Sequence, residues 1–581
     1  MRHTVTRHPA FCPHVSREPV SRPVTRRAFI GGAGVLALGV AATACGSTTP
    51  SKTSPSGRPA GTALVTLVAE SSRNFTRNFN PFSPTSRWAA LKAMYEPLMI
   101  NNSATGKLDP WIASKAEWNG PTRLDLTLRN DVKWSDGKSF QASDVVFTFE
   151  LMKRNKGLIG PASGAWEDYL ASVEAVDPAT VRFTLTKPYS PALYILVSQF
   201  VVPEHVWSSI PDPVKHTNPD PVATGPFTVV KSFQPQRYQL TANPHYWQKL
   251  GVGGLNIPAF SGNDQISAAT IGGQIDWGGL VPDPDKTFVS RDPQHFGYWW
   301  PRTTCVYLML NTEKKPFDDV RVRKAVSLAL DRQRMIDIAV WGKSAPANAT
   351  GLPSGPYKDW IDPAVVQEGA SWVGHDAAKA GALLDEAGLK KGADGFRTLP
   401  DGTPLKLSII VPTGWNDWIS SSQCVADNLK EVGIRVELKT IAYETWTDST
   451  YQGRFDLTLG SAERTATPFE FFRGMMSSAT YKPVGTASAL NVQRYKSAEA
   501  DKLLAEFAAT PDLAAQQALS KQLEALFSRE APVVPLYEQP DWGLYNTRRV
   551  TGFPTEKDPY APLTLQSTPS TFLVYPKLRS V

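Results

Sequence analysis

Between residues 405 and 459 the chain alternates strand, helix, strand, helix, strand, and few folds accommodate that order. Residues 405–411 hold a buried run centred on KLSII, and 419–432 read as a helix stopped by Gly433, a residue suited to the left-handed turn past a helix end. Residues 434–439 read as a strand, 446–451 open a helix, and 455–459 read as a strand again. Strands joined through helices imply an α/β lobe with a largely parallel sheet. Further helices are expected over 377–387 and 497–529, and a strand over 533–537.

That lobe accounts for part of the 581 residues, a length too great for one ordinary core. Two or three lobes are expected. Toward the N-terminus, strands are expected at 64–68, 123–128, 181–185, 194–202, 223–230 and 307–311, with 238–241 as a hairpin partner. Trp134-Ser135-Asp136-Gly137 reads as a turn, followed by a helix over 143–150 capped by Ser143. A helix over 317–339 takes its apolar content from Val320, Val322, Val326, Leu328 and Leu330. Arg321, Arg323 and Lys324 are expected in solvent, and Asp318 and Asp319 cap the helix.

The N-terminus is an address. Thr25-Arg26-Arg27-Ala28-Phe29-Ile30 is a twin-arginine export signature, followed by an apolar run over 30–44. About 15 residues are too few to span a bilayer, which takes roughly 20, so the run reads as a signal segment. It ends at Ala42-Thr43-Ala44-Cys45, where small residues before a cysteine resemble a lipobox and make Cys45 the lipidation site. Residues 46–61, GSTTPSKTSPSGRPAG, suit a flexible tether from lipid to body. The expected location is outside the cell, on the outer face of the cytoplasmic membrane.

The formal charge is +7, but residues 1–44 contain six arginines against the single acid Glu18. The body is therefore nearly neutral, unlike a nucleic-acid binder with its basic stripe. Cys305 and Cys424 follow no metal-ligand spacing; one disulfide and two buried free thiols both remain open. The eight histidines show no zinc pair, and no phosphate loop or nucleophile elbow is present. Nothing selects the paired carboxylates of a glycosidase. No catalytic residue, metal or cofactor is expected. A binding protein of an importer, an extracellular hydrolase and a sensory lipoprotein are the readings weighed, in that order.

Six segments, in this order, carry a resemblance: LTLRNDVKWSDGKSFQASDVVFTFE (126–150), VPEHVW (202–207), ATGPFTVVKSF (223–233), NPHYW (243–247), YLMLNTEKKPFDDVRVRKAVSLALDR (307–332) and VVPLY (533–537). Together they resemble the extracellular solute-binding proteins of family 5, the oligopeptide- and dipeptide-binding group of ABC importers. The resemblance implies a hinged, two-lobed α/β periplasmic-binding-protein fold of type II, with an extra lobe inserted. It implies a first lobe at 62–305 containing an insert at about 96–200, a second lobe at 306–530, and a return to the first at 531–581. On that resemblance a small solute is expected to be enclosed between the lobes of a monomer, with permease subunits recognising the closed form.

The same resemblance bears on the solute. Peptide-binding members place an acid four residues before a proline, where it pairs with the peptide's amino group. Here that position, before Pro468, is Arg464, with Glu463 adjacent and Ser461 in place of the family's tryptophan. The alternative is an oligosaccharide, whose flat C–H faces stack on aromatic rings. Trp277, Trp299, Trp300, Trp415, Trp418 and Trp446 lie in loops or at element ends. Gly414-Trp415-Asn416-Asp417-Trp418 follows a strand's carboxyl end, where clefts in α/β lobes form, and resembles the family's sugar-binding members. Asn416 and Asp417 are the expected hydroxyl partners, and Trp299-Trp300 serve equally to stiffen the lobe crossing.

Overall fold

A computed structural model of the protein describes residues 63–68, 74–462, 465–565 and 570–581. The expected signal segment, Cys45 and the tether lie outside these residues, as do Glu463 and Arg464.

One lobe is built on a seven-stranded sheet with Leu64–Val68 at its centre. That strand runs parallel to Gly254–Pro258 on one side and to Trp277–Gly278 on the other. Arg237–Thr241 and Val229–Gln234 extend one edge, while Leu544–Asn546 and Phe296–Tyr298 extend the other. A separate four-stranded antiparallel sheet joins Ala113–Trp118, Arg123–Leu128, Thr180–Leu185 and Leu170–Asp177. Its apolar residues Leu124, Leu126, Val181 and Phe183 merge with the first lobe's core.

Helix Ala142–Arg154 packs on that smaller sheet. Its cap is Gln141 rather than Ser143: Gln141 and Asp144 form a reciprocal capping box, with the Gln141 amide donating to Asp144 Oδ2 at 3.0 Å. Asp144 can serve because it is buried and also accepts from Trp134 Nε1 at 3.1 Å. Residues 194–202 also depart from expectation. They belong largely to helix Ala192–Ser198, since a short apolar run bounded by prolines does not reveal its period.

The second sheet orders Arg435–Ile441, Lys406–Pro412, Leu457–Gly460, Arg302–Leu310 and Val534–Pro540. Its first three strands are parallel, as their intervening helices require. Arg302–Leu310 runs antiparallel to both its neighbours, so the sheet is mixed rather than largely parallel. Alternation along that strand puts Val306, Leu308 and Leu310 into one core and Cys305, Tyr307 and Met309 into another. Cys424 belongs to the first of these cores, across the sheet from Cys305, and both thiols are free.

Both long helices of the expectation are broken. Val320–Ala329 stops before Asp331, which caps Arg332–Ala339, and Ala498–Ala509 stops before Asp512, which caps Leu513–Glu530. Aspartate before a helical run is a start signal, so each interruption was written in the sequence. Asp319 caps the first helix as expected. Arg323, expected in solvent, is buried: its guanidinium donates to the carbonyls of Glu530 and Ala531 at 2.5 and 2.9 Å, closing the end of Leu513–Glu530.

The chain crosses between the sheets twice, and the crossings are bonded to each other. Arg302 pairs with Pro540, the Asp541 amide donates to Pro301 O at 2.9 Å, and the Trp299 amide to Gly543 O at 3.2 Å. Thr303 Oγ1 adds a bond to Asp541 Oδ2 at 2.5 Å. The crossings thus form one antiparallel ribbon, continuous from Phe296–Tyr298 and Leu544–Asn546 into the second sheet.

Candidate functional site

A cavity of about 890 Å³ lies between the two large sheets, within the range of pockets that enclose a small ligand. It opens at the carboxyl ends of Lys406–Pro412 and Leu457–Gly460, the ends at which α/β sheets bind ligands. Gln539 and Trp542 of the crossing ribbon contribute to its lining.

The second lobe supplies an aromatic wall. Gly414, at φ +86°, turns the chain out of its strand and into helix Asn416–Glu431. The turn leaves Trp415 half-buried and Trp418 buried, 4.9 Å apart and edge to face. Helix Tyr443–Tyr451 adds Tyr443 and Trp446 one turn apart, with ring centroids 5.6 and 5.9 Å from Trp415. Trp446 is held by an Nε1 bond to Thr458 Oγ1 at 2.9 Å. All four rings line the cavity, and Tyr443 is half exposed.

Asp417 lines the same space from the first turn of its helix. Burial pushes its carboxyl up to about 6, against a smaller opposing pull from the backbone N–H groups of Trp418 and Asp417. Deeper polar groups are incompletely satisfied. Glu470 Oε2 accepts from Arg473 at 2.8 Å, while Glu470 Oε1, Gln493 Oε1 and Thr450 Oγ1 are buried without a partner among the described residues. Gln493 Nε2 donates to Met475 O at 2.7 Å. Buried polar groups are normally paired, so these three leave unmet hydrogen-bonding capacity in the wall behind the cavity surface.

The first lobe supplies a plainer wall: Val68, Ile266, Gly278, Gly279, Leu280 and Leu565 among others. Gly278 is at φ +90°, and a Cβ there would meet Val68 O at 2.5 Å, so the backbone itself forms the surface. The lobes touch where Asn263 Nδ2 donates to Gly414 O at 3.3 Å and where the Ser190 amide donates to Ala508 O at 2.6 Å.

Of the residues expected at a site, Trp415, Asp417, Trp418 and Trp446 come together on the cavity. Asn416 is exposed and turned out of it. Trp277 is fully buried in the first lobe, packed on Tyr575 and Phe553, with Nε1 donating to Leu563 O at 2.7 Å. Trp299 and Trp300 line a separate recess at the crossing, where Trp300 packs against Trp542 at 4.7 Å and braces the ribbon. Sequence reasoning missed Tyr443, which its spacing of three from Trp446 would have revealed. It also missed Thr450, Glu470 and Gln493, which no local pattern marks.

Residues 107–483 match the sequence profile of bacterial extracellular solute-binding proteins, family 5. The chain is 27% identical to the periplasmic oligopeptide-binding protein of Thermotoga maritima in a structure with mannohexaose bound (TM-score 0.77, covering 89% of this chain and 98% of that one). A second structure of the Thermotoga protein gives a TM-score of 0.81. The nickel-binding periplasmic protein of Escherichia coli is 25% identical over 497 residues, 79% of this chain and 87% of its own. A Brucella ovis relative, assigned by name to peptide binding in an ABC transporter, is 28% identical over 384 residues, 65% of this chain and 69% of its own. With the profile spanning more than half its length and the two-lobed fold in agreement, the chain belongs to the family 5 extracellular solute-binding proteins, the substrate-binding components of ABC transporters.

Proposed function

We propose that this protein is a monomeric, lipid-anchored capture protein that encloses an oligosaccharide and presents it to an ABC permease. The observation that carries the reading is the wall of Trp415, Trp418, Tyr443 and Trp446 at the mouth of the second lobe's strands. Such rings offer flat, weakly polar faces that suit the C–H surface of a pyranose. The mannohexaose held by the Thermotoga protein supports the same class of solute. Residues 62–305 and 531–581 form one lobe in this reading, 96–200 its insert, and 306–530 the other. In this reading, export through the twin-arginine signature and lipidation of Cys45 hold the body at the outer face of the cytoplasmic membrane.

A peptide is the second reading, favoured by the names of several relatives. Against it, the lining contains no lysine or arginine among the described residues to receive a peptide carboxylate. Intrinsic tryptophan fluorescence and calorimetry against manno- and gluco-oligosaccharides and a peptide panel test the choice. Saturable oligosaccharide binding, with the sugar recovered unchanged, is the expected result. Binding of peptides alone would reverse it, and turnover of the sugar would point to an enzyme.

A further inference from the structure

One acid of the cavity is uncompensated. Elsewhere in the second lobe carboxylates sit against cations: Asp456 against Lys314 at 2.8 Å, Asp319 against Arg321 at 2.6 Å, and Glu470 against Arg473 at 2.8 Å. Asp417 has no cation within salt-bridge distance among the described residues, although it lines an enclosed space between two lobes. A half-buried carboxylate met only by backbone N–H groups, with no cation opposite, is destabilising in the empty cavity and is relieved when a cation arrives.

The surroundings of Asp417 point to the sign of that partner. Its neighbours Trp415, Trp418, Tyr443 and Trp446 present ring faces, which carry negative potential and attract cations. Two of the unpaired atoms, Glu470 Oε1 and Gln493 Oε1, are acceptors. The Gln493 orientation is fixed by chemistry, because only its NH₂ can donate to Met475 O. Thr450 Oγ1 serves either way. The described part of the cavity is thus rich in acceptors and π faces, and its lining carries two acids and no base.

We propose that the solute is cationic: an amino-substituted oligosaccharide whose ammonium group lies against Asp417 beside the aromatic wall. The inference rests on the saccharide reading above and narrows it. The assay is calorimetry at pH 7 with a glucosamine oligomer, its N-acetylated counterpart, neutral manno- and gluco-oligomers of equal length, and lysine-containing peptides. The glucosamine oligomer should bind at least about tenfold tighter than its N-acetylated counterpart, as a charge-assisted contact implies. Asp417→Asn should remove that preference, bringing the amino and N-acetylated oligomers to within about twofold of each other. Neutral or N-acetylated oligomers that match or exceed the amino form would overturn the cationic assignment and leave the saccharide reading standing. Peptide binding with no saccharide response would overturn both. If Asp417→Asn does not fold, the ranking of ligands on the wild-type protein still decides.

Discussion

The walls that face each other across the cavity are made of different material. The second lobe presents six aromatic rings and two carboxylates, with unpaired polar atoms buried behind them. The first lobe presents two glycines, a few aliphatic side chains and Asn263, with no ionisable group among its described lining residues. One wall has the chemistry to hold a solute by itself, and the other has the shape to cover it. Affinity and recognition should therefore reside in the second lobe, and closure in the first.

The sharpest way to break this contrast is to remove the rings. Trp415→Ala and Trp446→Ala should each cost about 2 kcal/mol of solute binding or more, as truncated aromatic anchors generally do. Calorimetry that found losses below about threefold would mean that the rings only pack on one another.

A smaller effect tests the charge on the same wall. Asp417 titrates at about 6 in the folded protein, above its ordinary 3.8, so the folded state holds that proton more tightly than the unfolded chain. Stability from this group is complete below about pH 4 and is lost as pH rises through 6. Asp417→Asn, neutral throughout, should stabilise the solute-free protein by about 1–2 kcal/mol at pH 7.5 and by nothing at pH 4, read from thermal melts. An equal gain at both values would assign the effect to packing.

On the covering wall, Asn263→Ala removes the bond to Gly414 O. It should weaken binding by about 0.5–1 kcal/mol, the worth of one hydrogen bond. A loss as large as that of Trp446→Ala would erase the distinction between the walls. Asn416→Ala, one residue from the wall but facing solvent, should change affinity by less than about 0.5 kcal/mol.

The contrast also separates what was legible in sequence from what was not. Period-two strands and capped helices in the second lobe were readable because local pattern decides them, and the aromatic pair Trp415 and Trp418 was readable because it follows a strand end. Tertiary placement was harder. Arg323 sits among residues that read as a solvated helix face, yet it is drawn inward by orphan carbonyls 207 and 208 positions away. Trp277 has the same composition signal as Trp446, and its burial depends on Tyr575 and Phe553, nearly three hundred residues on. The first lobe's wall left no trace at all, because glycine backbone carries no pattern that distinguishes a cavity surface from a turn.

The ribbon that joins the lobes has its own consequence. Two strands cross-linked by hydrogen bonds flex out of their common plane far more readily than they slide past each other, because sliding breaks the whole ladder at once. In the proposed capture, lobe motion about this ribbon would reduce to nearly one coordinate, an opening angle. In the capture proposed above, a permease would need to gauge only that angle.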